Sequence, residues 1–311
     1  VGANMSGLAA VVVRWRGGDE VRRCLQSILD HAGPRLSRIV LVDSASGDGG
    51  AARLGSQFPA VEVLELERNL GFAHAANSGA ASGDVDLLLL NPDTELTAGA
   101  VEQLLKILDD RPRAAAAVPL LHGIDGGSQH RWQLRSKPTP FRLATGRPGA
   151  PAFASSPKVP VWVPQPAAAA WLVRREVWTS LKGFDETYVP AWWEDVDFCG
   201  RLESLVGRPE SPWSEGFVVV PDARVGHIGG SSVRSLSDET FLTTYYLNLL
   251  RYAAAHHAEN LALIKTGLDL TLRARMLVRP SRASGYRAAL RAIKKARLVG
   301  QGSPTPPAAA C

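Results

Sequence analysis

The chain has 311 residues, 45% of them apolar and 21% charged, with 35 Lys plus Arg against 30 Asp plus Glu and a formal net charge of +5. That length suits one large α/β domain with an appendage, and the apolar fraction excludes a disordered or collagen-like chain. So small a charge makes no case for nucleic-acid binding.

The first third alternates short apolar runs with helical periodicity. Strands are expected at 8–13, 38–43, 61–66 and 86–90, with helices at 20–29, 49–58, 72–82 and 98–110 between and after them. Repeated βα units imply a mostly parallel sheet with helices on both faces, and such sheets bind ligands beyond the carboxyl ends of their strands. Asp43 and the Asn91-Pro-Asp93 segment fall at two of those ends. From 123 to 166 glycine and proline interrupt the pattern, and 146–160 reads as a mobile loop. A strand at 167–173, a short helix through Val177 and Leu181, a helix at 192–206 and a strand at 216–220 follow, then a polar loop carrying His227. Helices are expected at 238–257, 259–278 and 285–298, ahead of a Pro/Ala-rich disordered tail. The resulting division is a catalytic domain at 8–235, a helical region at 236–300 and a tail at 301–311.

The charge is unevenly spread. Between Arg273 and Arg297 there are nine basic residues and no acidic ones, more than the whole net charge of +5. A basic segment beside an amphipathic helix fits either a solvated helical face or a peripheral contact with an anionic membrane surface. Apolar helical faces there also leave a homodimer open.

Three cysteines, Cys24, Cys199 and Cys311, form no CxxC pair, which argues against a disulfide framework or structural zinc and for a reducing cytoplasm. No apolar run reaches the roughly 18–20 residues of a membrane-spanning helix. Residues 1–7 lack the regions of a signal peptide.

Four clusters carry chemistry. Asp43-Ser-Ala-Ser-Gly-Asp48 puts an acid at a strand end, followed by small residues that admit a ligand, although the same residues are ordinary turn and cap formers. Asn69-Leu-Gly71 suits a tight strand-to-helix turn with Asn77 on the helix beyond it. Asn91-Pro-Asp93 lets a buried strand emerge into an acid, which suits Mg²⁺ or Mn²⁺ shared with substrate phosphates or a plain helix cap. Gly183-Phe-Asp-Glu186 and Trp192-Trp193-Glu194-Asp195-Val-Asp197 form the strongest cluster, because three acids in four positions beside two Trp exceed what a helix dipole explains.

Taken in this order, together with His227 in its Gly/Ser loop, these segments resemble the family 2 inverting glycosyltransferases of GT-A fold. They are most similar to bacterial rhamnosyltransferases of cell-wall linker assembly. The resemblance covers roughly residues 8–235. It implies a GT-A type Rossmann-like sheet with a C-terminal helical extension. The implied donor is a nucleoside-diphosphate sugar, dTDP- or UDP-linked with L-rhamnose as the implied sugar, and the acceptor a hydroxyl of a lipid-linked glycan or a natural product. It implies that Asp43 contacts the nucleobase beside the Asn69–Gly71 turn, and that Asn77 and Asn91 belong to the donor side. Asp93 would bind Mg²⁺ or Mn²⁺ with His227, and Asp195 would be the general base. Trp193 and Glu194 would face the acceptor. The chain departs from the pattern at Asn91, where the family more often has Asp, and at Arg14-Trp15-Arg16 after the first strand. Arg14 could reach a donor phosphate. The rival readings are a degenerate sugar-nucleotide-binding protein and, more remotely, a nucleotidyltransferase, for which Arg14-Trp-Arg-Gly-Gly18 is only a partial phosphate loop.

Overall fold

The computed structural model describes residues 7–123, 125–229 and 236–296. Residues 1–6, part of the Gly/Ser loop after His227, the end of the last expected helix and the expected disordered tail lie outside them.

In chain order the elements are β1 (Leu8–Arg14), α1 (Asp19–His31), β2 (Leu36–Asp43), α2 (Gly50–Gln57), β3 (Val61–Glu65), α3 (Phe72–Ala80), β4 (Asp86–Leu90), β5 (Thr94–Leu96), α4 (Ala100–Asp110) and β6 (Ala114–His122). Next come α5 (His130–Gln133), β7 (Leu134–Arg135), α6 (Pro140–Ala144), β8 (Val161–Val163), β9 (Gln165–Pro166), β10 (Ala170–Val173), α7 (Arg175–Leu181), α8 (Glu194–Val206) and β11 (Glu215–His227). The chain ends in α9 (Asp238–His256), α10 (Leu261–Val278) and α11 (Ala283–Lys295).

The main sheet runs β3-β2-β1-β4-β10-β6-β11-β5, with β8 also on β11. β3, β2, β1 and β4 are mutually parallel, and β10 runs antiparallel to both β4 and β6. The chain starts at β1, moves outward to β2 and β3, then returns to the other side of β1 with β4. That reversal opens a crevice between the carboxyl ends of β1 and β4, the usual ligand position in such sheets.

Both faces of the sheet are covered, which is why its strands read as unbroken apolar runs. Along β1, Leu8, Ala10 and Val12 join a core with α1 and α4, while Ala9, Val11 and Val13 join a second core with α3, α7 and α8. Gly79 lets α3 lie close against the sheet, since a Cβ there would fall 2.6 Å from Val11 Cγ1 and 2.7 Å from Val42 Cγ2. A third cluster joins α9, α10 and α11 to Leu143, Tyr188, Trp193 and Val196. The C-terminal helices therefore share a core with α6, with the start of α8 and with the loop that leads into it.

Two sequence expectations change. Residues 114–122, left unassigned, form the strand β6, an Ala-rich run that carries little β-branched signal and is buried on both sides. The strand expected to stop at Val220 continues to His227, so that histidine ends a strand paired with β5 and β6 and does not ride in a polar loop. Among the described residues, no helix is long and apolar enough to cross a membrane.

Candidate active site

The site is built from three groups of side chains at the carboxyl edge of the sheet. The first lies at the ends of β1 and β2. Asp43 is 3% exposed and accepts hydrogen bonds from Arg14 Nη1 at 2.7 Å, Ser46 Oγ at 2.5 Å and Ser46 N at 3.1 Å. Arg14, expected to reach a donor phosphate, is instead fully buried. Its Nη2 bonds both oxygens of Asp48, at 2.7 and 3.0 Å, and the Gly17 carbonyl at 3.3 Å. A buried guanidinium requires such partners, and here two acids from the β2 turn supply them. This holds Asp48 below the usual carboxylate range, chiefly through the Arg14 hydrogen bond. Arg14 thus rigidifies the Asp43 turn.

The neighbouring turn is fixed by Asn69, whose Oδ1 accepts from Ser44 Oγ and from Gly71 N, both at 3.0 Å. Gly71 adopts a φ of +99°, and a Cβ there would meet the Pro190 carbonyl at 2.9 Å. The glycine admits that carbonyl, which accepts from Phe72 N at 2.7 Å. Asn77 serves the same junction differently. Its amide is spent on the Gly183–Glu186 turn, donating to Phe184 O and Glu186 Oε1 and accepting from Phe184 N, each at 2.9 Å. Asn77 is therefore a clamp between α3 and that turn, and not a residue with a free amide for the donor.

The second group joins Asp93 to His227. Asp93 is 5% exposed, lies 3.6 Å from His227 Nε2 and accepts from Gly229 N at 3.1 Å. Gln129 donates from Nε2 to the His227 carbonyl at 2.9 Å, which turns its Oε1 toward His227 Nδ1 at 2.7 Å. That arrangement requires the imidazole proton on Nδ1 and leaves the Nε2 lone pair facing Asp93. Burial lowers the His227 pKa against the pull of Asp93, so the ring is neutral at physiological pH. A neutral nitrogen and a carboxylate oxygen too far apart to hydrogen-bond suit two ligands of one cation. Among the described residues no cluster of three His, Cys, Asp or Glu side chains forms a cage. Mg²⁺ and Mn²⁺ need no such cage where substrate phosphates and water complete the shell.

The third group surrounds the start of α8. Trp192 and Trp193 both have positive φ, +72° and +78°. Two successive non-glycine residues in that region mark a backbone held by its surroundings. Trp193, expected to face an acceptor, is only 2% exposed and packs against Tyr245 and Tyr252, with ring centroids 5.6 and 5.4 Å away. It is a core residue, whereas Trp192 is half-buried and meets the Phe241 ring at 90°, with centroids 4.9 Å apart. Glu194 is also buried, 7% exposed, and its Oε2 has no hydrogen-bond partner among the described residues. Burial, then the nearby Asp195 charge, pushes its pKa well above the ordinary range. Burial raises Asp195 too, but Arg135 and the backbone N–H groups of Val196 and Ala168 oppose the rise. Val196 N donates to Asp195 Oδ1 at 2.8 Å, and Gln165 Nε2 lies 3.5 Å from Oδ2. Burial thus raises both carboxyls, and the Arg135 charge and the backbone N–H groups oppose that rise at Asp195, an asymmetry of the kind that divides acid and base roles between adjacent carboxyls. Asp197 stands apart. Although burial opposes it, His256 at 2.8 Å and Arg201 at 2.7 Å hold it ionised.

Short links join the second and third groups. Asn91 N donates to Ala169 O at 2.8 Å, one residue from the Ala168 amide that serves Asp195. Trp132 stacks on His227 at 5.2 Å, and the Arg135 guanidinium lies 5.8 Å from the Trp132 ring centroid. Gln129, Trp132, Arg135 and Gln165 all come from the stretch in which the sequence shows no periodicity, so nothing in it flagged them.

The model of the Glycosyl transferase family 2 matches residues 10–177, more than half of the chain and the stretch that carries the first group and Asp93. The chain belongs to the family 2 glycosyltransferases. The curated relatives of this glycosyltransferase include the N-acetylglucosaminyl-diphospho-decaprenol L-rhamnosyltransferase of Mycobacterium tuberculosis, 29% identical over 243 residues that make up 71% of this chain and 75% of the relative. Among solved structures, GalNAc-T7 with UDP, GalNAc and Mn²⁺ superposes with a TM-score of 0.60 at 18% identity, covering 81% of this chain and 48% of that one. A mannosyltransferase from Pyrobaculum calidifontis with GDP-Man and Mn²⁺ gives 0.53 at 17% identity over 93% of this chain and 86% of that one. TarS from S. aureus gives 0.51 at 12% identity, covering 93% and 90%. The glycosyltransferase accordingly has the GT-A fold and transfers sugar from a nucleotide-sugar donor.

Proposed function

We propose that this glycosyltransferase moves L-rhamnose, with inversion, from dTDP- or UDP-rhamnose to a hydroxyl of a lipid-linked glycan. The observation that carries the mechanism is the adjacent carboxyl pair Glu194–Asp195 at the start of α8, where Val196 N and Gln165 Nε2 approach Asp195 and Glu194 Oε2 has no partner among the described residues. An inverting transfer needs one base on the acceptor side and charge neutralisation on the leaving diphosphate, with no protein nucleophile. Asp195, whose pKa burial raises against the pull of Arg135 and backbone N–H groups, accepts the acceptor hydroxyl proton. The acceptor oxygen then bonds to the anomeric carbon as the bond from that carbon to the diphosphate oxygen breaks on the opposite face. Asp43, held rigid by Arg14, reads the nucleobase, and the Ser44–Asn69–Gly71 turn shapes the wall beside it. Asp93 and His227 would hold Mg²⁺ or Mn²⁺, which when bound supplies positive charge to the departing phosphates. The lipid-linked acceptor and the sugar rest on similarity to the mycobacterial rhamnosyltransferase.

A thermal-shift panel of UDP-, dTDP- and GDP-sugars, with and without Mn²⁺, tests the donor, because a ligand that binds the native state raises the melting temperature. The expected result is a rise with a rhamnose donor that Mn²⁺ enlarges. A rise with another sugar alone would reassign the donor, and no rise with any would favour a degenerate binding protein. The configuration of the product anomeric carbon by NMR tests inversion.

A further inference from the structure

The outward face of α10 is unlike the rest of the surface. Leu263, Leu270 and Leu277 recur every seven residues, two helical turns apart, and are 67%, 63% and 85% exposed, with Val278 beside them at 79%. Isolated exposed apolar residues are ordinary, but four along one helix face mark an interaction surface. The opposite face, Ile264, Leu268 and Leu272, is fully buried against α9 and α11, so the helix is held in place without using its leucine stripe.

Beside the stripe lies a cleft of about 470 Å³ lined by Arg147, Thr271, Ala274, Arg275, Val278 and Arg279, with three guanidiniums and no carboxylate. Arg275 is fixed there by the Tyr246 hydroxyl and by the Thr145 carbonyl at 2.9 Å. The only acid on α10, Asp269, is neutralised by Arg273 at 2.6 Å, and α11 carries exposed Arg287, Arg291, Lys294 and Lys295 with no acid.

We propose that α10 docks this protein on an anionic phospholipid surface, its leucine stripe entering the acyl boundary and the Arg147–Arg275–Arg279 cleft taking a lipid phosphate. The charge complementarity selects this occupant. An interfacial helix combines an apolar face with flanking cations, and guanidiniums pair bidentately with phosphate. A second copy of the chain fits poorly, because a two-fold contact would set this basic face against itself. The docking does not rest on the identity of sugar or acceptor.

The test is co-sedimentation of the full chain with vesicles of phosphatidylcholine alone and of phosphatidylcholine with phosphatidylglycerol. The double variants Leu270→Glu with Leu277→Glu and Arg147→Gln with Arg279→Gln are compared with wild type. Wild type should bind the mixed vesicles and not the neutral ones. Each double variant should lose about tenfold or more in vesicle affinity. Their melting temperatures and sugar-nucleotide binding, which depend on other residues, should hold. Equal binding of wild type to both vesicles, no binding to either, or wild-type affinity in the leucine variant would overturn the proposal. So would an oligomer in gel filtration that the leucine variant dissolves while neither protein binds vesicles. If inorganic phosphate binds the cleft tightly while vesicles do not, the site takes free phosphate and the proposal fails.

Discussion

The two ends of the proposed site, the Arg14–Asp43–Asp48 end assigned above to the donor and the Glu194–Asp195 end assigned to the acceptor, are built in opposite ways. At the donor edge, Asp43 at the end of β2 and Asp48 in the turn beyond it are both locked by Arg14 at the end of β1. Each carboxylate there is hydrogen-bonded to the Arg14 guanidinium, and the geometry is set by parallel register, Arg14 opposite Asp43. At the acceptor edge, Glu194 and Asp195 sit at a helix start beneath two strained tryptophans and are pushed toward the neutral form by burial. The donor edge is a rigid cradle that holds charge in place. The acceptor edge stores protonation states that can change during the reaction. Binding needs the first property and proton transfer the second.

Breaking the acceptor edge should have the largest effect. Asp195→Asn keeps the shape and removes the proposed base, so turnover should fall by roughly two to four orders of magnitude. The thermal shift given by the donor should be unchanged, because no donor residue is touched. Near-normal turnover would reject Asp195 as the base, and a lost donor shift would mean that the two edges are not separable.

Breaking the donor edge should show first in stability. Arg14→Met leaves the buried Asp43 carboxylate without its cation, and removing one partner of a buried ion pair costs about 3 kcal/mol or more. The melting temperature should drop by several degrees for a chain of this size, with donor binding weakened as the Asp43 turn loosens. A melting temperature within a degree or so of wild type would show that Asp48 and the Ser46 contacts hold the turn without the arginine.

The same contrast explains how much the sequence disclosed. Asp43 and Asp93 were visible because an acid closing an apolar run is a local signal, and parallel topology places strand ends together. Arg14 was visible as an unusual residue, but its burial was not, since the partner Asp48 is 34 positions away. The Trp-Trp pair was visible as a cluster and misjudged in orientation. Positive φ at both residues turns Trp193 inward to Tyr245 and Tyr252, which lie on a helix about fifty residues later. Arg135, Gln129 and Gln165 could not be found at all. They belong to short elements held by tertiary hydrogen bonds, where hydrophobic period carries no information.

A smaller effect is expected where the two edges meet. Gln129 fixes the His227 tautomer through both its oxygen and its nitrogen. Gln129→Leu removes that constraint without altering Asp93 or His227. Loss of such an outer partner typically weakens metal affinity by 10–100-fold. The concentration of Mn²⁺ giving half-maximal activity should rise by that order while the rate at saturating Mn²⁺ stays near wild type. An unchanged Mn²⁺ requirement would place the cation away from His227.

Glu194→Gln should change turnover least of all, and this is the sharpest test of whether Glu194 and Asp195 divide acid and base roles. If Glu194 is protonated near neutral pH, glutamine replaces it with a group of similar shape and the same charge. The rate should stay within a few-fold of wild type while Asp195→Asn collapses. Stability should respond with a definite sign. The Glu194 pKa is raised on folding by burial and then by Asp195, so the folded state binds a proton that the unfolded state releases above about pH 4.3. The unfolded state then binds fewer protons, and stability falls as pH rises through that window, by at most about 1.4 kcal/mol per pH unit. Glutamine removes this dependence. The variant should therefore gain on wild type in melting temperature between acidic and neutral pH, and the two curves should converge below the ordinary glutamate pKa. Parallel curves would mean that Glu194 is ionised in the folded enzyme. Asp195 would then share its site with a second charge, and the base would need a cation closer than Arg135.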